Sequence, residues 1–121
     1  MTYLCTMKRK IIAYEDYYEL FFNSLDIKTQ DKVLYGLMLL ETEGRLPSKF
    51  VKLIRDGIFE LRIEYCGNIY RLFFCFDGDY IVILFNGFQK KTQKTPLKEI
   101  EKAIKLKNEY YERKRAENET L

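Results

Sequence analysis

A chain of 121 residues without one histidine has few ways to move a proton. Histidine is the commonest general acid/base near neutral pH and the commonest metal ligand. Any chemistry here therefore falls to carboxylates, lysine, arginine, tyrosine or cysteine. The three cysteines, Cys5, Cys66 and Cys75, are odd in number and form no CxxC pair. They read as reduced thiols, not as a disulfide framework or a zinc site. Without histidine, Cys66 and Cys75 have no evident activating base, so thiol catalysis is not expected. No metal and no cofactor is expected either. What stands out is cationic. Arg62 and Arg71 sit in ELR and YR; Lys90, Lys91, Lys94 and Lys98 fall between Phe88 and Lys98 with no acid among them. Lys52 and Arg55 precede ELR.

Arginine presents a planar, permanently charged fork that matches phosphate oxygens. Cleavage of RNA by its own 2′-OH needs a base for that hydroxyl, cations for the developing phosphorane charge, and an acid for the leaving oxygen. Lysines and arginines supply the second, and the first if neighbouring charge lowers one lysine's pKa. Phe73, Phe88 or an exposed tyrosine could stack on a base. The plain alternative is a solvated face with a cross-strand ion pair and a solvated basic loop. The net charge of +3 is mild and does not decide between them.

These residues need a scaffold. Composition, with 47% hydrophobic and 16% aromatic residues, fits one folded domain over 1–121. Lys8 to Ala13 reads as a short strand. Tyr14, Tyr17, Tyr18, Phe21, Phe22 and Leu25 recur at helical spacing, predicting a helix from Tyr14 or Glu15 to Ser24 with a core-facing stripe. Asp26 is placed to cap a second helix that stops at Gly44, giving an antiparallel helical hairpin. Residues 45–57 read as a connection. Three strands come next: Ile58 to Tyr65, Ile69 to Phe76 and Tyr80 to Phe85. Gly67-Asn68 suits a type II′ turn between the first two, and Asp77-Gly78 a type I′ turn between the last two. Thr95 and Pro96 start a final helix carrying Leu97, Ile100, Ala103 and Ile104. Its tail, 105–121, is mostly charged and expected to run into solvent and fray near Ala116.

The expected class is α+β: a small antiparallel sheet with the N-terminal helical hairpin on one face and a C-terminal helix. A two-residue Gly67-Asn68 turn sets Glu64 opposite Arg71 and Arg62 opposite Phe73. Glu60, Arg62, Glu64, Arg71 and Phe73 then share one partly open face. A slip of one residue would invert that assignment. The apolar runs are far shorter than the roughly 20 residues of a membrane span, and MTYLCTMKRK is too short in its apolar part for a signal peptide. A cytoplasmic, membrane-free protein is expected, with residues 1–7 flexible and Met7 an alternative start to Met1.

From Arg55 to Ala103 the chain resembles the HigB-like, phage-derived branch of the RelE/ParE toxin superfamily, through RDGIFELR, then YRLFFCFDGDYIVILFNGFQKKTQKTP, then KEIEKA. The preceding helices agree in order and length. The resemblance implies a RelE-like fold and a toxin that cleaves messenger RNA at the ribosome without a metal, arresting translation. It implies a cognate antitoxin, often with a helix-turn-helix domain, and joint repression of the operon. By position, Arg71 corresponds to an arginine contacting the scissile phosphate and Arg62 to a basic residue on the same sheet. Lys90 or Lys91 corresponds to the basic residue after the last strand. Arg71, Arg62, Lys90 and Lys91 are thus the expected catalytic set. Lys52, Arg55, Lys94, Phe73 and Phe88 are the expected RNA contacts. The missing histidines, and Pro96-Leu97 where some relatives carry a tyrosine, leave the acid and base unassigned. A non-catalytic module that acts with an antitoxin in transcriptional control is the alternative. A phage-encoded binder that blocks translation without cutting is a third reading.

Overall fold

Alternating apolar residues from Ile58 onward build the central antiparallel strands, and everything else packs on them. The structure, a computed structural model, describes residues 8–91, 94 and 96–119. The expectations for residues 1–7, Cys5 and the Thr95 cap lie outside these. The elements are β1 (Lys10–Ala13), α1 (Tyr17–Asn23), α2 (Ile27–Thr42), β2 (Val51–Arg55), β3 (Ile58–Tyr65), β4 (Asn68–Asp77), β5 (Ile81–Lys90) and α3 (Leu97–Glu119). The sheet order is β1-β5-β4-β3-β2. The α+β class is as expected. The sheet is larger and not wholly antiparallel, because β1 pairs parallel with β5 and β2 forms the opposite edge.

β2 lies in the stretch expected to be a connection. Asp56 and Gly57 both take positive φ, 50° and 78°, closing a two-residue hairpin between Arg55 and Ile58. The next turn lies one residue earlier than expected, which shifts the strand pairing by two. Tyr65 pairs with Asn68, so the turn is Cys66-Gly67 with φ of 51° and 77°. That is the type I′ pattern, whose twist suits a hairpin. A shift of two keeps every side chain on its expected face, but it changes partners: Arg62 faces Arg71, Glu60 faces Phe73 and Glu64 faces Ile69. At Asp77-Gly78 the expected two-residue turn is a three-residue connection, since Asp77 pairs with Ile81.

β5 runs past Asn86-Gly87 instead of ending at Phe85. A bulge opposite Phe73 inserts one residue, because Phe74 pairs with Leu84 and Leu72 with Gly87. A bulge reverses the inward–outward phase of the strand beyond it. Phe88 and Lys90 consequently share the face of Arg71 and Ile69. Gly87 turns to the other face, where a Cβ would lie 2.5 Å from the Phe21 ring.

Two cores sit on opposite faces. Beneath α1 and α2 lie Phe21, Val33, Leu40, Leu61, Ile63, Leu72, Phe74 and Leu84. Beneath α3 lie Ile58, Phe73, Cys75, Ile83, Phe85, Ala103 and Leu106, with Tyr14. The expected aromatic stripe is therefore divided: Tyr18, Phe21, Phe22 and Leu25 go to the first core, Tyr14 and Tyr17 to the second. Asp26 caps α2 as expected, its carboxylate accepting from the Thr29 N–H at 2.8 Å. The other end does not use Gly44 as a left-handed cap. The Arg9 guanidinium instead donates to the carbonyls of Leu40, Glu43 and Gly44 at 2.7–2.8 Å. The charged tail is not all in solvent. Tyr110 donates to Asp77 at 2.5 Å, Tyr111 to the Phe76 carbonyl at 2.8 Å, and Lys114 to Asp77 at 2.7 Å.

Candidate functional site

α3 covers only half of its sheet face. The other half carries the polar residues of β2, β3 and β4 and the end of β5. Lys52 lies opposite Glu60, Arg62 opposite Arg71, and Arg71 opposite Phe88. Lys90 pairs with Ile69, two residues from Arg71 on the same face. A cleft of about 290 Å³ opens here, lined by Ser48, Lys49, Phe50, Lys52, Glu60, Arg62 and Arg71.

At its floor Glu60 and Arg71 form an ion pair, with 2% and 10% of their side chains exposed. Burying two charges is costly unless each is well paired, and this pair is incompletely satisfied. Glu60 Oε1, Arg71 Nε and the neighbouring Arg62 Nε are buried and have no hydrogen-bond partner among the described residues. Arg62 reaches Glu64 only at 3.5 Å. The floor thus keeps two guanidinium N–H donors and one carboxylate acceptor unpaired among the described residues, each shielded from solvent as the side chains stand.

Lys90 is held below the usual lysine range. Burial is the first cause, and the charge of Arg71 the second; Arg62 and Lys52 add to it, while Glu60 opposes them. This is the physical route to a lysine that can accept a proton. Together, Lys52, Arg62, Arg71 and Lys90 surround one carboxylate. The arrangement can bind a phosphate, stabilise extra negative charge on it and exchange a proton at Lys90.

Other candidate positions fall differently. Phe73 is fully buried under α3, so its ring cannot meet a base; the expectation of stacking there is overturned by α3 covering that part of the face. Phe88 is half-buried, its ring centroid 5.5 Å from that of Phe73. Arg55 lies at the β2–β3 turn, 3.7 Å from Asp56. Lys91 and Lys94 lie beyond β5 and are exposed. Glu60 was read only as part of a polar face. Its alternation with Ile58 and Arg62 gives the face, but not the burial, which goes with its central strand, flanked by β2 and β4, and with its pairing to Arg71.

Among the described residues no group of three or more acidic or cysteine side chains is placed to hold a metal ion. No helix among them is long and apolar enough to cross a membrane. A comparison with curated proteins finds no match. Over residues 20–108, a span containing the whole cationic cluster, the chain matches the family described as Phage derived protein Gp49-like (DUF891). The match covers well over half of the chain, and the protein belongs to this Gp49-like family, which is of the RelE/ParE, toxin-like type.

Proposed function

We propose that this protein is the toxin of a type II toxin–antitoxin system, of the HigB-like kind, and that it cleaves messenger RNA at the ribosome. The observation that carries the reading is the gathering of Lys52, Arg62, Arg71 and Lys90 around Glu60 on the half of the sheet that α3 leaves open. Arg62 and Arg71 hold the scissile phosphate. The 2′-OH attacks phosphorus and the bond to the 5′-oxygen breaks. A base takes the hydroxyl proton and an acid returns one to the leaving oxygen. Lys90 is the leading base, and the cations around it stabilise the phosphorane charge. A cognate antitoxin, helix-turn-helix in kind, holds the toxin inactive and represses the operon with it.

The test is induced expression followed by primer extension on cellular messages. Growth arrest with codon-phased cuts is expected, relieved by Arg62→Ala and by Lys90→Ala. Full toxicity in both variants removes the site assignment. With purified ribosomes, the cleavage rate rises with pH and levels off above the pKa of Lys90, which lies below the ordinary value of about 10.4. The rate rises because the neutral amine is the active form. Lys90→Arg, which stays charged, is expected to abolish cleavage.

A second reading is favoured by the Glu60–Arg71 pair, which neutralises the arginine best placed for phosphate. On that reading the protein does not cut and serves only in transcriptional control with its antitoxin. Absence of cuts, with operator binding by the complex intact, is its signature.

A further inference from the structure

Arg62, Arg71 and Phe88 stand side by side in one row across the sheet. Phe50 precedes β2, in the turn after Pro47: its N–H donates to the Pro47 carbonyl at 2.9 Å, and its own carbonyl accepts from the Arg62 N–H at 2.7 Å. Phe50 thus sits at the sheet edge beside Arg62, bordering both the open cleft and the hollow under α2 lined by Leu61 and Ile63.

Phe50 belongs to neither core. It is half-buried at the β2 edge and lines the cleft together with Arg62, Lys52 and Arg71. Lys49 and Glu64 border the same notch, with the Lys49 ammonium 5.0 Å from the Phe50 ring centroid. Of the two phenylalanines expected to stack, Phe73 is sealed and Phe88 leans on Phe73. An aromatic face beside a phosphate-binding arginine suits a nucleotide, because every base has a π-face and every nucleotide a phosphate. The guanidinium charges of Arg62 and Arg71, lining the cleft with Phe50, suit an anionic group in the same place.

We infer that Phe50 is a nucleobase platform, so that the cleft grips one nucleotide of a single-stranded RNA by its base on Phe50 and its phosphate on Arg62 and Arg71. This rests on the RNA-cleavage reading above. Lys49 and Lys52 flank the ring and take the adjoining backbone phosphate. Phe50 touches the base and takes no part in proton transfer.

The experiment measures cleavage on ribosomes programmed with a short message, using wild type, Phe50→Ala and Phe50→Tyr. Each is tested on the normal message and on messages made abasic on either side of the cut bond. Stacking contributions removed by alanine correspond to a rate loss of about tenfold or more. Phe50→Ala is expected to cut that much slower, while Phe50→Tyr keeps the wild-type rate. One abasic position slows wild type by a similar factor and slows Phe50→Ala no further. If Phe50→Ala cuts at the wild-type rate, or if the abasic penalty is equal in both proteins, the platform is wrong although the cleavage reading stands. If wild type cuts no message, the cleavage reading fails and this inference fails with it.

Discussion

Glu60 and Arg71 are the pair on which the site rests, and their burial changes how the site can be probed. Removing one member leaves the other as an uncompensated buried charge, which costs about 3–5 kcal/mol. Both Glu60→Ala and Arg71→Ala are expected to lose stability on that scale in urea unfolding. Lost toxicity in Arg71→Ala therefore cannot by itself be assigned to catalysis. Arg62 keeps 34% of its side chain exposed and Lys90 is half-buried, and their alanine variants are expected to cost about 1 kcal/mol, well short of the loss at the buried pair. An Arg71→Ala protein that unfolds at the wild-type urea midpoint shows that the pair adds nothing. At this scale the sequence was informative about face and silent about burial. Two-residue alternation puts Arg62 and Arg71 on one side, but only the fold shows Glu60 buried against Arg71 and Phe73 unreachable beneath α3.

At the scale of elements, turn chemistry was legible where it was read correctly and misleading where it was not. Asp56-Gly57 and Asp77-Gly78 are the same dipeptide. The first closes a two-residue hairpin, while at the second the Asp77 side chain is taken by Tyr110 and Lys114 and the connection runs to three residues. Local sequence cannot see that tertiary claim on an aspartate. The bulge in β5 is a similar case. FNGFQK gives little sign of it, yet it puts Lys90 rather than Gln89 on the Arg71 face. Gly87 was the available hint, since the Phe21 ring leaves no room for a Cβ there. The Cys66-Gly67 turn offers a test of the corrected register. Cys66 holds a φ of 51°, where asparagine is far better tolerated than an ordinary side chain. Cys66→Asn is expected to stabilise the protein by about 0.5–1 kcal/mol, read as a raised melting temperature. With the turn at Gly67-Asn68, residue 66 would be an ordinary strand position and the same change would be neutral or harmful.

For the whole molecule, the decisive feature is a sheet with a core on each face and only one helix on the second. α3 covers Ile58, Phe73, Cys75, Ile83 and Phe85, and the half it leaves bare becomes the cleft. Its C-terminal half reads as a charged tail, but Tyr110, Tyr111 and Lys114 fasten it. Burial and the Asp77 contact push the Tyr110 hydroxyl well above the usual tyrosine range, while the Lys114 ammonium and then the Tyr110 hydroxyl hold Asp77 below the usual carboxyl range. A carboxyl lowered on folding stabilises the fold above its unfolded pKa, near 3.9, and that contribution disappears as pH falls through the folded value. Ending the chain after Ala116 removes none of these groups and is expected to leave thermal melting unchanged. Ending it after Leu106 removes both tyrosines and Lys114. Full burial of a large apolar side chain is worth about 1.5–3 kcal/mol; each half-buried tyrosine contributes about half of that, against a total of about 5–15 kcal/mol for a domain. That truncated chain is expected to melt many degrees lower and to expose apolar surface to a dye. The deficit is largest near neutral pH and shrinks on acidification, because Asp77 is then protonated in both chains. It should also lose toxicity with Lys52, Arg62, Arg71 and Lys90 all present, since the cleft exists only while α3 holds the opposite end of the face. A truncation after Leu106 that melts like the full chain would show that the tail is solvated after all.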